Sequence, residues 1–393
     1  MNSPELKNSQ ALQKILETEI ASSSRKRITF ARYMDLALYH PDYGYYSSDT
    51  TKIGKKGDFF TSSSLGRDFG ELLAVQFKQM WHSLDCPIPF YLIEMGAGNG
   101  ELARDILNYF QSENDELFIK ALKYIVIEQS DALTTAQQQL LEPLNLDNVV
   151  WKTLSDLDRE SIVGCFFSNE LVDAFPVHLI TKTSDRLSEI YLSFQGRKLI
   201  ETINSLSSDR IDRYFNLIDI DLLASQYPSG YRTEVNLNAL DWLQTVGDRL
   251  KRGYVLTIDY GYPAAKYYLP SRIAGTLQCY FQHRRHNNPY ANLGYQDLTA
   301  HVDFTALERH GEIFGLETLG FTQQGLFLMA LGIGDRLNDL SSGKYDITQI
   351  FQRRDALHQL IDPTGLGGFG VLIQGKNLTA SEKSLQGMTV PKM

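Results

Sequence analysis

The sequence has little of what marks secreted, membrane-spanning or cysteine-ligated metal proteins. Only three of its 393 residues are cysteines, and none forms a C-x-x-C pair, so a disulfide scaffold is not indicated. No apolar run approaches the ~20 residues that a transmembrane helix needs. The first residues, MNSPELKNSQ, lack an apolar signal core and include Glu5, which is unusual in a transit peptide. We therefore expect a cytoplasmic protein that is not inserted in a membrane.

An excess of basic residues is also missing. Lys and Arg number 38 against 47 Asp and Glu, which gives a formal net charge of −9. A general nucleic-acid binder needs a basic face, so we expect no nucleic-acid partner. The charge is compatible with a cationic protein or peptide partner, although it does not select one. It gives no indication of the oligomeric state.

One stretch, FYLIEMGAGNGELARDIL (residues 90–107), carries a nucleotide-binding pattern. The apolar run 90–93 predicts a buried strand, Gly96, Gly98 and Gly100 form a turn, and residues 101–110 have helical periodicity. Glycines let the backbone approach a ligand closely, and the N-terminus of the helix offers unpaired N–H groups. A glycine turn with only a structural role is the alternative.

The spacing of these glycines favours one of two cofactors. Dinucleotide oxidoreductases favour G-x-G-x-x-G, but position 101 is a glutamate here. The pattern E-x-G-x-G-x-G suits S-adenosylmethionine, whose methionine tail and ribose replace the pyrophosphate. Glu128 follows the second predicted strand and is placed to accept hydrogen bonds from both ribose hydroxyls. Asp156, after the third strand, could meet the adenine amino group or could be a solvated turn residue. The predicted cofactor-binding residues are Glu94, Gly96, Ala97, Gly98, Asn99, Gly100, Glu128, Gln129, Asp156 and Asn169.

The fourth predicted strand ends in a polar segment, SNELVDAFPVH (residues 168–178), that contains Glu170 and Asp173. Side chains at the carboxyl ends of parallel strands face the ligand crevice. Carboxylates hold a guanidinium group bidentately, so these two acids are predicted catalytic residues that orient an arginine nucleophile. The alternative is that they decorate the N-terminus of a helix, where acids are favourable.

Three histidines, His283, His286 and His301, occur in the segment 279–304. The H-x-x-H spacing could suggest a metal, but arginines intervene and a third ligand is missing, so we predict no metal site. A single loop histidine is more often a hydrogen-bonding anchor than a catalyst. His301, with Asp303 nearby, is nevertheless included as a third candidate catalytic residue.

Strands and helices alternate from residue 90 to about 176, which predicts an α/β fold with a parallel, doubly wound sheet. We expect N-terminal helices and a lid in residues 1–84, and a core in residues 85–376. The core would contain an α+β insertion at about 178–236. Long loops at 43–64 and 262–302 would cover the site, and residues 377–393 would form a flexible tail.

Six blocks together resemble the MidA family of class I S-adenosylmethionine-dependent methyltransferases. They are FARYMDLALYHPDYGYY, GDFFTSSSLGRDFGELLA, EMGAGNGELARDIL, SNELVDAFPVH, IDYG and PYANLGYQDLTAHVDF. The resemblance runs from about residue 27 to 376, and only the glycine block is generic to the superfamily. It implies a Rossmann-like core of seven strands, mainly parallel, with an antiparallel last strand.

The resemblance also implies a function. The mitochondrial members act in the matrix as protein arginine methyltransferases in the assembly of respiratory complex I, the NADH dehydrogenase. By carry-over, Asn169 and Glu170 lie near the substrate. We also expect Thr61, Ser62 and Tyr260 to contact the substrate. Better-known arginine methyltransferases carry a pair of glutamates where this chain has N-E-L-V-D. The alternatives are an assembly factor that mainly binds a partner, a small-molecule methyltransferase and a nicotinamide oxidoreductase.

Overall fold

The structure, a computed structural model, describes residues 3–47, 61–196, 198–282 and 284–389. The α-helices in these ranges are α1 (Ser3–Ser22), α2 (Phe30–Tyr39), α3 (Arg67–Ser83), α4 (Glu101–Ser112), α5 (Glu116–Ala121), α6 (Asp131–Leu141), α7 (Arg210–Leu217), α8 (Leu237–Arg249), α9 (Ala264–Tyr267), α10 (Phe304–Ile313), α11 (Gln324–Ala330), α12 (Ile333–Asp339) and α13 (Ile347–Ile361). Most of the predicted loop 43–64 and His283 lie outside the described residues.

The β-strands of the described ranges fall into a large central sheet and several smaller sheets. They are β1 (Ile28–Thr29), β2 (Phe90–Met95), β3 (Leu122–Ile127), β4 (Val149–Lys152), β5 (Ile162–Asn169), β6 (His178–Lys182), β7 (Leu187–Gln195), β8 (Lys198–Asn204), β9 (Arg232–Val235), β10 (Leu250–Asp259), β11 (Gly261–Tyr262), β12 (Gln278–Phe281), β13 (Arg284–His286), β14 (Asp297–Thr299), β15 (Val302–Asp303), β16 (Glu317–Gln323) and β17 (Gly370–Lys376).

The central sheet has seven strands in the order β16-β17-β10-β5-β2-β3-β4. The strands from β10 to β4 are parallel to their neighbours, whereas β17 is antiparallel to both β10 and β16. The predicted Rossmann-like sheet with an antiparallel last strand is therefore confirmed.

Helices cover both faces of this sheet, which explains why inner strands such as β2 and β5 are mostly apolar and buried. On one face α3, α4, α11 and α13 contribute to a large buried cluster that includes Phe77, Phe110 and Phe327. On the other face α8 and α10 contribute Leu243, Val246 and Leu307 to a second cluster. Among the residues described, no helix is both long enough and apolar enough to cross a membrane.

A second unit is built from parts of the chain that we expected to be separate. Strands β6 to β9 of the predicted insertion form a sheet with β1. β1 joins this sheet by pairing antiparallel with β7. Helices α1 and α2 pack on this unit, because Leu16 and Met34 share a buried cluster with Leu179 and Leu192. The N-terminal segment 1–84 is thus divided: α1 and α2 belong to the second unit, whereas α3 packs on the core.

The segment 262–302, which we expected to be a long loop, contains one short helix and several short strands among its described residues. Strands β13, β12 and β14 form a three-stranded antiparallel sheet in that order. Cys279, Leu298 and Ala300 are buried in the same cluster as α1 and α2. The strands are only three or four residues long, so their alternation is too short to identify from sequence.

The prediction of a flexible tail from residue 377 is wrong for the described part of that segment. Glu382 and Leu385 are buried. Glu382 pairs with Arg252, and the N–H of Gly387 donates to Gln76 Oε1 at 2.9 Å. Polar composition concealed this packing, because the charge of Glu382 is neutralised by a residue 130 positions away.

A glycine in β5 sets how closely two central strands approach. Gly164 has φ of 154°, and a Cβ there would lie 1.9 Å from the carbonyl oxygen of Tyr91 in β2. We expect Gly164→Ala to lower the free energy of unfolding by about 3 kcal/mol or more, because backbone strain adds to overpacking. The measurement is urea denaturation.

The control is Gly230→Ala, at a turn glycine with φ of 84°, where the added methyl group would have no atom within 4 Å. This variant keeps the backbone strain without the steric overlap, so its cost should be about 1–2 kcal/mol. If both variants lost the same free energy of unfolding, the close approach of β2 and β5 would not be what requires glycine at position 164.

Candidate active site

A cavity of about 790 Å³ lies at the carboxyl ends of β2, β3 and β5. This is the edge at which open α/β sheets bind ligands, and the volume is in the range of cofactor sites. Eight of the ten predicted cofactor residues line it: Glu94, Gly96, Ala97, Gly98, Asn99, Glu128, Gln129 and Asn169. The structure therefore brings most of the sequence-predicted site together.

The glycine loop after β2 has the backbone conformation that its sequence indicated. Gly96, Gly98 and Gly100 have φ of 72°, 55° and 84°, values that favour glycine. A Cβ on Gly96 would lie 2.7 Å from the side chain of Leu171, so the loop also needs glycine for space. Gly100 does not line the cavity; it is the N-cap of α4 and sets the direction of that helix.

Glu128 is held in place by several hydrogen bonds. Its Oε1 accepts from the backbone N–H groups of Gln129 at 2.8 Å and Ser130 at 3.0 Å. Its Oε2 accepts from Gln137 Nε2 at 3.1 Å, and the same nitrogen donates to the carbonyl of Gly98 at 2.8 Å. Gln137 thus joins the predicted ribose acid to the glycine loop. The sequence analysis missed it, because a glutamine within a helix carries no signal of its contacts.

Glu94 lies at the base of the glycine loop and is buried. The hydroxyl of Tyr124 donates to its Oε2 at 2.6 Å. Burial raises the pKa of Glu94 to about 7, although the hydrogen bond from Tyr124 opposes this shift. Glu94 lines the cavity where the chain leaves β2.

Asp156 has a different role from the one predicted. Its Oδ2 accepts hydrogen bonds from the backbone N–H of Thr153 at 2.7 Å and from Thr153 Oγ1 at 2.8 Å. These bonds cap the short helical turn Leu154–Asp156 and lower the pKa of the carboxyl. Asp156 does not line the cavity, whereas Leu154 does. The turn uses this carboxylate, which lies outside the described lining of the cavity.

Glu170 lies in the cavity in an unusual conformation. Its φ is 52°, a left-handed value that is uncommon for a residue other than glycine. Its Oε1 accepts from the backbone N–H of Ser62 and from Asn169 Nδ2, both at 3.1 Å. Burial and the nearby Asp173 raise the pKa of Glu170 to about 8. Strained residues concentrate at functional sites, which agrees with a role in the chemistry.

Asp173 lies close to Glu170 and is held in place by Tyr260. Its Oδ2 accepts a short hydrogen bond from the hydroxyl of Tyr260, while its buried Oδ1 has no hydrogen-bond partner among the described residues. Burial raises the pKa of Asp173 to about 6. The segment after Asn169 contains only a single 3-10 turn, Val172–Ala174. Glu170 and Asp173 line the cavity, and the segment that carries them does not begin an α-helix.

Asp259, at the end of β10, supports this acidic segment through hydrogen bonds to its backbone. The sequence analysis did not identify Asp259. Its Oδ2 accepts from the backbone N–H groups of Val172 at 2.9 Å and Asp173 at 3.3 Å. Its Oδ1 accepts from the N–H of Tyr260 at 2.8 Å. Burial and the neighbouring acids raise its pKa. Asp259 belongs to the IDYG block, which could have drawn attention to it.

The predicted substrate contacts are divided between the cavity and the layer behind it. Thr61 lines the cavity. Ser62 does not line it: its backbone N–H holds Glu170, and its hydroxyl donates to Gln324 Oε1 at 3.2 Å. Tyr260 also lies behind the lining, where it donates to Asp173. Ser62 and Tyr260 therefore position the acids.

His301 is not among the cavity residues, which corrects its placement as a catalytic candidate. Its ring stacks on the ring of Tyr262, with the two centroids 5.2 Å apart. It also contacts the ring of Tyr260 edge to face. Burial lowers the pKa of His301 to about 4, so it is neutral at physiological pH. It does not pair with Asp303, which caps α10 and accepts from Tyr214 at 3.0 Å. Among the described residues, no group of three or more His, Cys, Asp or Glu could hold a metal ion.

The electrostatics of the cavity fit a positively charged ligand. The described lining contains no Lys, Arg or His. It contains seven acidic residues: Asp35, Glu94, Glu128, Asp131, Glu170, Asp173 and Asp297. The buried Oδ1 of Asn169 also has no partner among the residues described. S-adenosylmethionine carries a sulfonium charge, a ribose diol and hydrogen-bond donors, so these residues suit it.

The role of Glu128 can be tested with S-adenosylhomocysteine. We expect Glu128→Gln to weaken its binding about 10- to 100-fold, because a hydrogen bond to a charged acceptor is lost. The matched control is Asp156→Asn, which removes a carboxylate outside the cavity and should change the affinity less than about two-fold. Isothermal titration calorimetry measures both. An equal loss in the control would restore Asp156 to the adenine site.

The raised pKa of Glu170 predicts how the stability of the cofactor-free protein depends on pH. The folded state binds a proton between the ordinary pKa of 4.5 and the folded value of about 8. The contribution of Glu170 is complete below pH 4.5 and is lost as pH rises towards 8. The free energy of unfolding should fall by at most about 1.4 kcal/mol per pH unit from this group. Glu170→Gln should remove that slope in urea denaturation, and an unchanged slope would contradict the assignment.

Comparison with known proteins supports the cofactor that this geometry suggests. Residues 72–322 match the family model described as "Putative S-adenosyl-L-methionine-dependent methyltransferase". A crystal structure from Burkholderia thailandensis with bound S-adenosylhomocysteine is 30% identical, with a TM-score of 0.87. The similarity covers 98% of this chain and 96% of that one.

Curated relatives also span most of the chain. The mitochondrial protein arginine methyltransferase NDUFAF7 homolog of Drosophila melanogaster is 27% identical over 91% of this chain and 83% of its own length. The Homo sapiens protein arginine methyltransferase NDUFAF7 is 27% identical over 86% of this chain and 78% of its own length. Together with the glycine loop, Glu128 and the seven-stranded sheet, these matches show that the chain belongs to this family of S-adenosyl-L-methionine-dependent methyltransferases.

Proposed function

We propose that this methyltransferase modifies an arginine side chain of a protein partner. The observation that carries the proposal is the pair Glu170 and Asp173. Both line the cavity that holds the cofactor residues, and Asp173 is close enough to raise the pKa of Glu170. A guanidinium group presents several N–H donors in one plane and is suited to two adjacent carboxylates. The mitochondrial relatives are named protein arginine methyltransferases, which supports the same acceptor here.

The acids have two tasks in this reaction. When bound, S-adenosylmethionine supplies a methyl group on a positively charged sulfur. A guanidinium nitrogen forms the new C–N bond while the C–S bond breaks, and one proton leaves the nitrogen. Glu170 and Asp173 hold the guanidinium in line, which supplies much of the rate through proximity. A carboxylate whose pKa is raised to about 8, as that of Glu170 is, also accepts a proton more readily.

We further propose that the acceptor is a subunit of a respiratory NADH dehydrogenase. This step rests on the family resemblance drawn from the six sequence blocks. The net charge of −9 suits a cationic segment of such a partner. A cytoplasmic location remains a prediction from the cysteine content.

Two alternatives to this function remain. An assembly factor would use the fold mainly to hold its partner, and a small-molecule methyltransferase would enclose a metabolite. The assembly role can be tested with Gly98→Val, because Gly98 has φ of 55° in the glycine loop and valine would be strained there. A folded variant that no longer binds S-adenosylhomocysteine but restores complex assembly in cells would favour the assembly factor.

The arginine assignment predicts a specific loss of transfer. We expect Glu170→Gln and Asp173→Asn each to lower methyl transfer by about 100-fold or more, because orientation of the nucleophile is lost. Binding of S-adenosylhomocysteine should be retained. The enzyme would be incubated with S-adenosylmethionine and NADH dehydrogenase from cells lacking this gene, and methylated arginine would be read by mass spectrometry.

The matched control for this experiment is Glu160→Gln. Glu160 is another glutamate with a left-handed backbone, φ of 49°, but it is exposed and does not line the cavity. Its amide variant should transfer at the wild-type rate. Full transfer by Glu170→Gln, or methyl groups found only on other residue types, would contradict the proposal.

A further inference from the structure

One end of the cavity is lined by residues of the second unit that the cofactor site does not use. Tyr39 ends α2, Tyr46 lies in the 3-10 turn Tyr45–Ser47, and Asp297 begins β14. Asp173, from the acidic segment after β5, lies at the same end. We call Tyr39, Tyr46, Asp173 and Asp297 the tyrosine–aspartate subsite.

Hydrogen bonds fix the two rings of this subsite to the acidic segment. The rings of Tyr39 and Tyr46 are stacked, with centroids 5.5 Å apart and an angle of 25° between their planes. The hydroxyl of Tyr39 donates to the carbonyl of Ala174 at 2.9 Å, and that of Tyr46 donates to Asp297 Oδ1 at 3.0 Å. Tyr39 is thereby attached to the residue that follows Asp173. The rings are held before any ligand arrives.

The charge of the subsite is negative and largely buried. Asp173 and Asp297 are each only 4% exposed. The buried Oδ1 of Asp173 has no hydrogen-bond partner within the described residues, and Asp173 lines the cavity. Asp35, which also lines this end, is already paired with Arg32 at 2.5 Å. Burial, followed by the charges of Asp297 and Asp173, raises the pKa of the Tyr39 phenol, which agrees with their proximity.

A buried carboxylate oxygen without a donor is costly unless a ligand supplies one. The described lining of the cavity offers no cation to do so. A guanidinium group would satisfy both features of the subsite, because it donates to carboxylates in its plane and stacks on aromatic rings. An ammonium group donates to carboxylates but has no planar face to stack.

We propose that the tyrosine–aspartate subsite binds the side chain of the acceptor arginine, with the guanidinium group donating to Asp173 and stacking against the rings of Tyr39 and Tyr46. The identity of the side chain rests on the proposed function. Tyr39, Tyr46 and Asp297 thereby select a planar cation and direct it towards Glu170. They are specificity residues, and the second unit is required for acceptor binding.

The subsite can be tested by binding alone, without turnover. The full chain is saturated with S-adenosylhomocysteine and titrated with acetyl-arginine amide, acetyl-citrulline amide and acetyl-lysine amide by NMR. Citrulline is nearly isosteric with arginine but neutral. We expect the arginine compound to bind and the citrulline compound to bind at least about ten-fold more weakly, because the charged contact is lost. The lysine compound should bind about three-fold more weakly, because stacking is lost.

Variants then assign the contacts. Asp297→Asn should weaken binding of the arginine compound about ten-fold through the lost charge. Tyr39→Leu should weaken it about three- to ten-fold, whereas Tyr39→Phe, which keeps the ring, should bind within about two-fold of wild type. Affinity for S-adenosylhomocysteine should be unchanged in all three, which also shows that each variant is folded.

Several results would overturn this proposal. These are no binding of the arginine compound to the wild type, equal binding of the citrulline or lysine compound, or unchanged binding in both Asp297→Asn and Tyr39→Leu. The outcome is separable from that of the proposed function. If arginine binds here and the variants weaken it, yet no arginine of the NADH dehydrogenase is methylated, the subsite stands and the assigned reaction partner is wrong.

Discussion

The acidic end of the active site depends on one buried carboxylate, that of Asp259. It accepts hydrogen bonds from the backbone N–H groups of Val172, Asp173 and Tyr260, and so ties the segment after β5 to the end of β10. These bonds fix the segment in which Glu170 takes its left-handed conformation beside the cofactor site. Burial raises the pKa values of Glu170, Asp173 and Asp259, and neighbouring acids add to the shift for Glu170 and Asp259, so negative charge at this end of the site is costly. A cationic ligand offsets that cost.

The two units of the protein contribute residues to opposite ends of the cavity. The central sheet supplies the glycine loop and Glu128, which are joined through Gln137. The second unit, assembled from α1, α2, the insertion and the segment 262–302, supplies aromatic and acidic residues at the other end of the same cavity. The shared family fold therefore accounts for the cofactor. The additions to that fold line the end of the cavity at which we propose that the acceptor binds.

Much of the fold and most of the cofactor residues that line the cavity could be predicted from the sequence, because their signals are local. The strand–glycine–helix element, the alternation of strands and helices, and the acid after β3 each depend on residues that are close along the chain. Asp156 was misassigned for the opposite reason: a carboxylate after a strand can face a ligand or cap its own turn, and spacing does not distinguish these. His301 was misassigned because the stacking of Tyr262 on its ring joins residues 39 positions apart.

The sequence by itself determined the class of fold, the cofactor loop and the two acids at the end of β5. Those features follow from periodicity, from the conformational freedom of glycine and from the rule that parallel strands present their carboxyl ends together. Only the tertiary structure decided which residues stand behind the acids and what lines the far end of the cavity. Tyr46 and Asp297 are 251 positions apart, yet they share a hydrogen bond. Contacts of that separation arise when distant apolar segments are buried together, and no local pattern in the chain records them.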